Sequence, residues 1–358
     1  MNERRPAPRG TMGRRTGVGR RWIALVLLPL LTGYLFAQGP EPETPRAALV
    51  EAEIARIAGE VSGEVGVAAI HLESRRLLAH NGSKRFPMAS VYKIPIAVQL
   101  LTRAERGEID LDTTYAVLRP EDSRPGSGDI AFLFHSPGVN LSLRNLLRLS
   151  LVVSDNTASD LALRAAGGPK AVTKRVRQLG IVDMRIDRST LQLLLAWDGL
   201  EGTIADDTFS WETYEALVAE ITKEEKRRAA AVASVDVRDS STPIAMARLL
   251  EKIWAGNALE PASRDLLLKT MSECNGSNRI RGMLPPGLPR PPHKTGTMWG
   301  GGLATVNDAG IVELPDGAGH LAIAVFINRA EEEVYALEAV IAQITRLLVD
   351  FFILVPAE

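Results

Sequence analysis

The sequence predicts an α/β lobe built from both ends of the chain with an all-α lobe inserted between them, and three patterns predict it. Residues 45–60 place Leu49, Ile54 and Ile57 at helical spacing; residues 65–72 then read as a strand, with 77–80 as its hairpin partner. Near the other end, residues 302–306, 310–314 and 320–328 read as three strands, and 331 to about 352 as a closing helix. The stretch between is helical, with helices expected at 92–106, 143–153, 156–166, 169–179, 243–255 and 261–272. The two chain ends therefore share one sheet, spanning about 45–90 and 285–356, while 91–284 form the helical lobe. A functional cleft is expected between the lobes.

A chain of 358 residues, 46% of them hydrophobic, can bury a sizeable core. Lys and Arg number 42 against 43 Asp and Glu, so no global field recruits nucleic acid. The arginines at 4, 5, 9, 14, 15, 20 and 21 crowd into the leader and leave the remainder acidic. Residues 1–44 read as an export signal or N-terminal anchor with its linker. A basic stretch precedes an apolar run at 22–37, interrupted by Pro29 and Gly33, and a Pro/Glu-rich segment follows. That run is shorter than the roughly 20 residues a membrane-spanning helix needs, which favours cleavage near Ala37 over a retained membrane anchor. Either way the folded part is expected to be exported, periplasmic or secreted. The lone Cys274 has no partner for an internal disulfide and reads as a small residue at a helix end.

Three short blocks carry the chemistry: Ser90-Val91-Tyr92-Lys93, Ser154-Asp155-Asn156 and Lys294-Thr295-Gly296. A serine at a helix start has the lysine three positions on along the same face, so the Lys93 amine can reach the Ser90 hydroxyl and take its proton. Helix-start N–H groups favour the anion that then forms. The second block falls where one apolar helix ends and the next begins, a place that also suits a helix cap. In the third, Gly296 lets backbone approach a substrate closely and is followed by Thr297; the block reads as an inner strand beside the nucleophile.

These blocks, in this order, are the set shared by class A β-lactamases and penicillin-binding proteins. The chain resembles the class A β-lactamase family over nearly everything after the leader. The segment from Asn275 to Pro285 also looks like the family's approach to the third block. The resemblance implies a two-lobed fold, an antiparallel sheet flanked by terminal helices with an inserted helical lobe. It also implies site roles: Ser90 is the nucleophile and Lys93 its proton acceptor. Ser154 serves the leaving-group nitrogen, and Asn156 faces Lys93 and the substrate amide. Lys294 and Thr295 hold a substrate carboxylate beside Gly296, and the Thr297 and Ser90 N–H groups form an oxyanion hole. Asp155 is expected to be structural, and Arg329 is the one nearby candidate in sequence for a second carboxylate anchor.

One part of the family pattern is absent. Class A enzymes place a glutamate after the second block, in R-x-E-x-x-L-N, to activate the water that releases the acyl group. Here the stretch from Arg188 has Thr190 at the glutamate position and Leu194 at the asparagine position. Neither side chain is a base near neutral pH, so acylation is expected to outlive the loss while release slows. An insertion follows, about 195–239, with a helix expected at about 208–231 carrying Trp211, Tyr214, Leu217 and Ile221 on one face. Asp198, Glu201, Asp206 and Asp207 inside it are alternative sources of a base.

The expected activity is serine hydrolysis of β-lactams through an acyl-enzyme at Ser90. The alternatives are a binding module trapped as a covalent adduct, sensing or sequestering, and a D-Ala-D-Ala carboxypeptidase. The expected partner is a small molecule, a β-lactam or an acyl-D-Ala compound, acting on a monomer. No metal or organic cofactor is called for, because the five histidines have no ligand spacing.

Overall fold

The computed structural model describes residues 45–355 except 135, 137 and 277, so the leader lies outside the described residues. In chain order, the first elements are α1 (Pro45–Ala58), β1 (Glu64–His71), β2 (Leu77–His80), β3 (Phe86–Pro87), α2 (Lys93–Glu105), β4 (Tyr115–Val117), α3 (Ile130–Leu133) and β5 (Asn140–Ser142). There follow α4 (Leu143–Val152), α5 (Asn156–Ala165), α6 (Pro169–Gln178), α7 (Thr190–Asp198), α8 (Trp211–Glu220), α9 (Lys223–Ala233), β6 (Ser240–Ser241), α10 (Pro243–Trp254) and α11 (Pro261–Ser272). The chain closes with β7 (His293–Gly300), β8 (Leu303–Glu313), β9 (His320–Ala330) and α12 (Val334–Leu354).

Five strands form one antiparallel sheet in the order β2-β1-β9-β8-β7, so the two ends of the chain interleave as expected. Strand β9 explains why it reads as a continuous apolar run. Side chains alternate between faces, and here both faces are covered. Leu321, Ile323, Val325 and Ile327 pack with Ile54 of α1 and with Leu337, Ile341 and Ile344 of α12. Ala322, Ala324 and Phe326 face the other way, into a core shared with Met246 and Leu250 of α10 and with α2. Each fully buried Leu, Ile, Val or Phe contributes roughly 1.5–3 kcal/mol.

Three expectations are corrected. Residues 302–306 and 310–314 are one strand, β8, because the polar pair Asn307-Asp308 between them is buried inside it. Asn307 donates to the Pro87 and Met88 carbonyls, and Asp308 pairs with His293, so both polar groups are satisfied within the sheet. β7 is the edge strand of the sheet and not an inner one. The helix expected at about 208–231 is two helices, α8 and α9, broken at Thr222. There the Thr222 side chain accepts from the Glu225 N–H while the Glu225 carboxylate accepts from Thr222, a capping box that starts a new helix.

Three of the four residues of the insertion's apolar stripe pack, and Trp211 is exposed. Tyr214, Leu217 and Ile221 close over Leu191, Leu195, Leu200, Ile204 and Phe209 in a small core of their own. The insertion is tied at its base by Arg188, whose Nε lies 2.6 Å from the buried Asp239 carboxylate.

Candidate active site

Ser90 lies in a 3₁₀ turn, 89–92, that leads into α2, and it is the half-exposed member of a turn whose other residues are buried. Two contacts fix the approach to it. Asn307 Nδ2 donates to Pro87 O at 2.8 Å and Met88 O at 3.0 Å, and the Met88 N–H donates to Asp239 O at 3.1 Å. Ala89 takes a φ of 45°, in the left-handed region that costs an L residue of order 1 kcal/mol or more. On the far side, β7 comes close enough that a Cβ on Gly296 would stand 2.9 Å from both Met88 O and Ser90 N. Only glycine permits that approach, which sets the third block beside the nucleophile.

Lys93 opens α2 and points into a buried polar knot. Its Nζ lies within hydrogen-bond reach of three oxygens, Ser154 O at 2.7 Å, Ser154 Oγ at 3.2 Å and Asn156 Oδ1 at 2.9 Å, of which the neutral amine can donate to two. Lys294 Nζ donates to the same Ser154 Oγ at 3.0 Å and to Thr295 O at 2.8 Å. The first, second and third blocks thus meet at the Ser154 hydroxyl. Burial is the chief reason that the Lys93 amine titrates well below the usual lysine range, and the neighbouring Lys294 pushes the same way. Burial also brings Lys294 down to about 8.

Asp155 takes a structural part. It caps α5 by accepting from the Ala158 N–H, and it accepts from the Ile130 N–H, which ties α3 to the same turn. Two residues outside the blocks join the site. Ser127 Oγ donates to Ser154 O at 2.7 Å and to Asn156 Oδ1 at 3.3 Å. Arg279, buried behind β7, donates to Thr297 Oγ1 at 2.6 Å, to Gly296 O at 2.9 Å and to Asn307 O at 2.7 Å, and it pairs with Glu338 at 3.2 Å. It puts a cation against the Thr297 hydroxyl, the position sought in sequence for a second anchor. Arg329 does not reach the site: it is exposed on β9, with β8 lying between it and β7. A tripeptide spacing could not point to Arg279, because its nearness to Thr297 arises from folding the 279–284 segment against β7.

Thr190 begins α7 and is 5% exposed, its hydroxyl 2.5 Å from that of Tyr92. Burial chiefly, with the Asp160 charge, holds the Tyr92 phenol neutral well above its usual range. Asp160 accepts from the Thr190 N–H at 2.6 Å and is paired at 2.7 Å with Arg124, itself buried. Leu194 is partly buried, with Cδ1 3.7 Å from where a Cβ on Gly126 would stand. Of the insertion's carboxylates only Asp206 comes near Thr190, close enough for its charge to act on Tyr92. Asp198 accepts from Tyr214, Glu201 from Arg238 and Asp206 from Ser189, while Asp207 is exposed. Among the described residues no group of three or more His, Cys, Asp or Glu is arranged to hold a metal.

Sequence and structure comparisons show which family the chain resembles. A family model described as a β-lactamase enzyme family matches residues 49–352. The extended-spectrum β-lactamase PER-1 of Pseudomonas aeruginosa is 28% identical over 85% of this chain and 87% of its own. A crystal structure of a β-lactamase from Chitinophaga pinensis, 32% identical, superposes with a TM-score of 0.67 over 84% of this chain and 98% of its own. An ancestral class A β-lactamase, 29% identical, gives a TM-score of 0.67 over 84% and 99%.

Proposed function

The chain belongs to the class A β-lactamase family and is a serine hydrolase of β-lactamase type, and on that premise we propose that its acyl-enzyme forms at Ser90. The carrying observation is the hydrogen-bonded line from Lys93 Nζ through Ser154 Oγ to Lys294 Nζ beside the Ser90 turn.

In this reading the neutral Lys93 amine takes the Ser90 proton as Oγ bonds to the lactam carbonyl. The Ser90 and Thr297 N–H groups receive the oxyanion. When the C–N bond breaks, the ring nitrogen takes the Ser154 proton, which Ser154 recovers from the lysine side. Lys294 and Thr295 hold the substrate carboxylate, with Arg279 adding positive charge behind Thr297. Asn156 receives the substrate amide. Release of the acyl group by water is the slow step, since the Thr190 hydroxyl is engaged with Tyr92 and offers no base. Relatives named β-lactamases favour hydrolysis over a non-hydrolytic sensor or a carboxypeptidase. We read residues 1–44 as the export signal or anchor, and the folded part as a monomer acting in the periplasm or outside the cell.

Incubation with a chromogenic cephalosporin, followed by intact-mass measurement, tests this reading. The expected result is multiple turnovers with an adduct at Ser90, both absent in Ser90→Ala. Neither adduct nor drug consumption in the native protein would overturn it.

A further inference from the structure

Ser127 sits between two glycines in Pro125-Gly126-Ser127-Gly128, a run that none of the three blocks includes. Those glycines shape the chain for close approach. Gly126 has a φ of 88° and Gly128 one of 117°, and a Cβ on them would stand 2.8 Å from Asn156 Nδ2 and 2.4 Å from Asp155 Cα. The run therefore lies directly on the Ser154–Asn156 turn, and it is held there by backbone. The Asn156 N–H donates to Ser127 O at 2.9 Å, and Asn156 Nδ2 donates to Pro125 O at 2.8 Å.

So placed, the Ser127 hydroxyl shares its one proton between Ser154 O at 2.7 Å, the nearer acceptor, and Asn156 Oδ1 at 3.3 Å, which are two of the three oxygens around Lys93 Nζ. Each oxygen has two lone pairs and here serves two donors. We propose that Ser127 is a positioning residue for Lys93, engaging lone pairs on Ser154 O and Asn156 Oδ1 that would otherwise be free to hold the lysine as an ammonium. An acceptor already engaged by a hydroxyl is a weaker partner for a second, charged donor. The arrangement therefore biases Lys93 toward the free amine that can accept a proton. The proposal rests on the reading of Lys93 as the proton acceptor.

Other charges act on Lys93 as well: Lys294 from β7 favours the neutral form, whereas Asp155 and Asp160 on the α5 side favour the charged one. Ser127→Ala leaves all three in place. It also leaves the backbone bonds that hold the run, so a change in Lys93 reports on the hydroxyl and not on collapse of the segment.

The test follows the Lys93 amine directly, by NMR titration of protein labelled with ¹³C at lysine Cε, with assignment by Lys93→Arg. In Ser127→Ala the Lys93 midpoint is expected to rise by about one pH unit, the scale on which a hydrogen bond to a charged group alters a titration. In Ser127→Thr, which keeps the hydroxyl, it should stay at the native value. The acid limb of the acylation rate with a chromogenic cephalosporin should move by the same amount. A Lys93 midpoint unchanged in Ser127→Ala, or raised equally in Ser127→Thr, overturns the proposal. Failure of the parent reading shows separately, as a native protein that titrates normally and forms no adduct.

Discussion

The Tyr92 hydroxyl lies 2.5 Å from the Thr190 hydroxyl, so two neutral O–H groups meet where the family pattern calls for a carboxylate. Restoring that carboxylate in Thr190→Glu, together with Leu194→Asn, is expected to speed decay of the acyl adduct by about 10² to 10⁴, the usual range for a general base. Single-turnover mass spectrometry after a brief exposure to penicillin measures it. An unchanged decay rate would mean that the start of α7 does not address the acyl group.

Lys294 gives the alkaline side of the pH profile. Its ammonium persists below about 8 and is lost above it, burial being the main cause. For a substrate with a carboxylate, kcat/KM should therefore fall as pH rises through about 8. In Lys294→Arg, which stays charged, the fall should vanish from that range. A native profile flat to pH 10 would contradict the anchoring role.

Arg188 and Asp239 are expected to close the insertion. Asp239 is 2% exposed, and Arg188→Ala would leave its charge without a cation. Breaking such a buried pair costs about 3–5 kcal/mol, to be read as a lower denaturant midpoint. Asp239→Asn should be milder, because its amide oxygen can still accept from the Asp187 and Arg188 N–H groups that now bind Oδ1. Equal losses in the two variants would show that the charge pair is not what matters.

Asn307 holds the residues before the nucleophile. Asn307→Leu removes the donor to Pro87 O and the acceptor of the Ile327 N–H inside a fully buried site, at about 1–3 kcal/mol for each group left unpaired, while Met88 O keeps the Val91 N–H. The acylation rate should fall together with stability, as measured by burst kinetics and chemical unfolding. Loss of stability with an intact burst would separate this contact from the Ser90 turn.

Much of this was legible in the sequence, for identifiable reasons. The three blocks carry side chains that meet at Ser154 Oγ, and helical or alternating spacing places the helices and strands around them. Thr190 and Leu194 are visible because they stand at fixed offsets from Arg188. What escaped depends on contacts between distant segments. Arg279 finds Thr297, Ser127 finds Asn156 and Arg124 finds Asp160 only in the folded chain. The break read into β8 shows the converse error. Asn307 and Asp308 fall in the gap between two apolar stretches, and only their buried partners show that the strand runs through them.

The insertion has a small core of its own but is held to the body at several points, and this bears on how the molecule opens. Arg188 holds Asp239, Arg227 holds Glu331, Asn328 donates to Ser234 O, and Ala230 packs against Met298 and Leu303. Helix α8 is the part of the insertion with no buried residue, so the α8 amides should exchange with deuterium sooner than those of α9, β8 and β9. Because closing a longer loop costs little extra, the stretch around α8 can vary in length over generations while α9 stays packed beside the Ser90 turn.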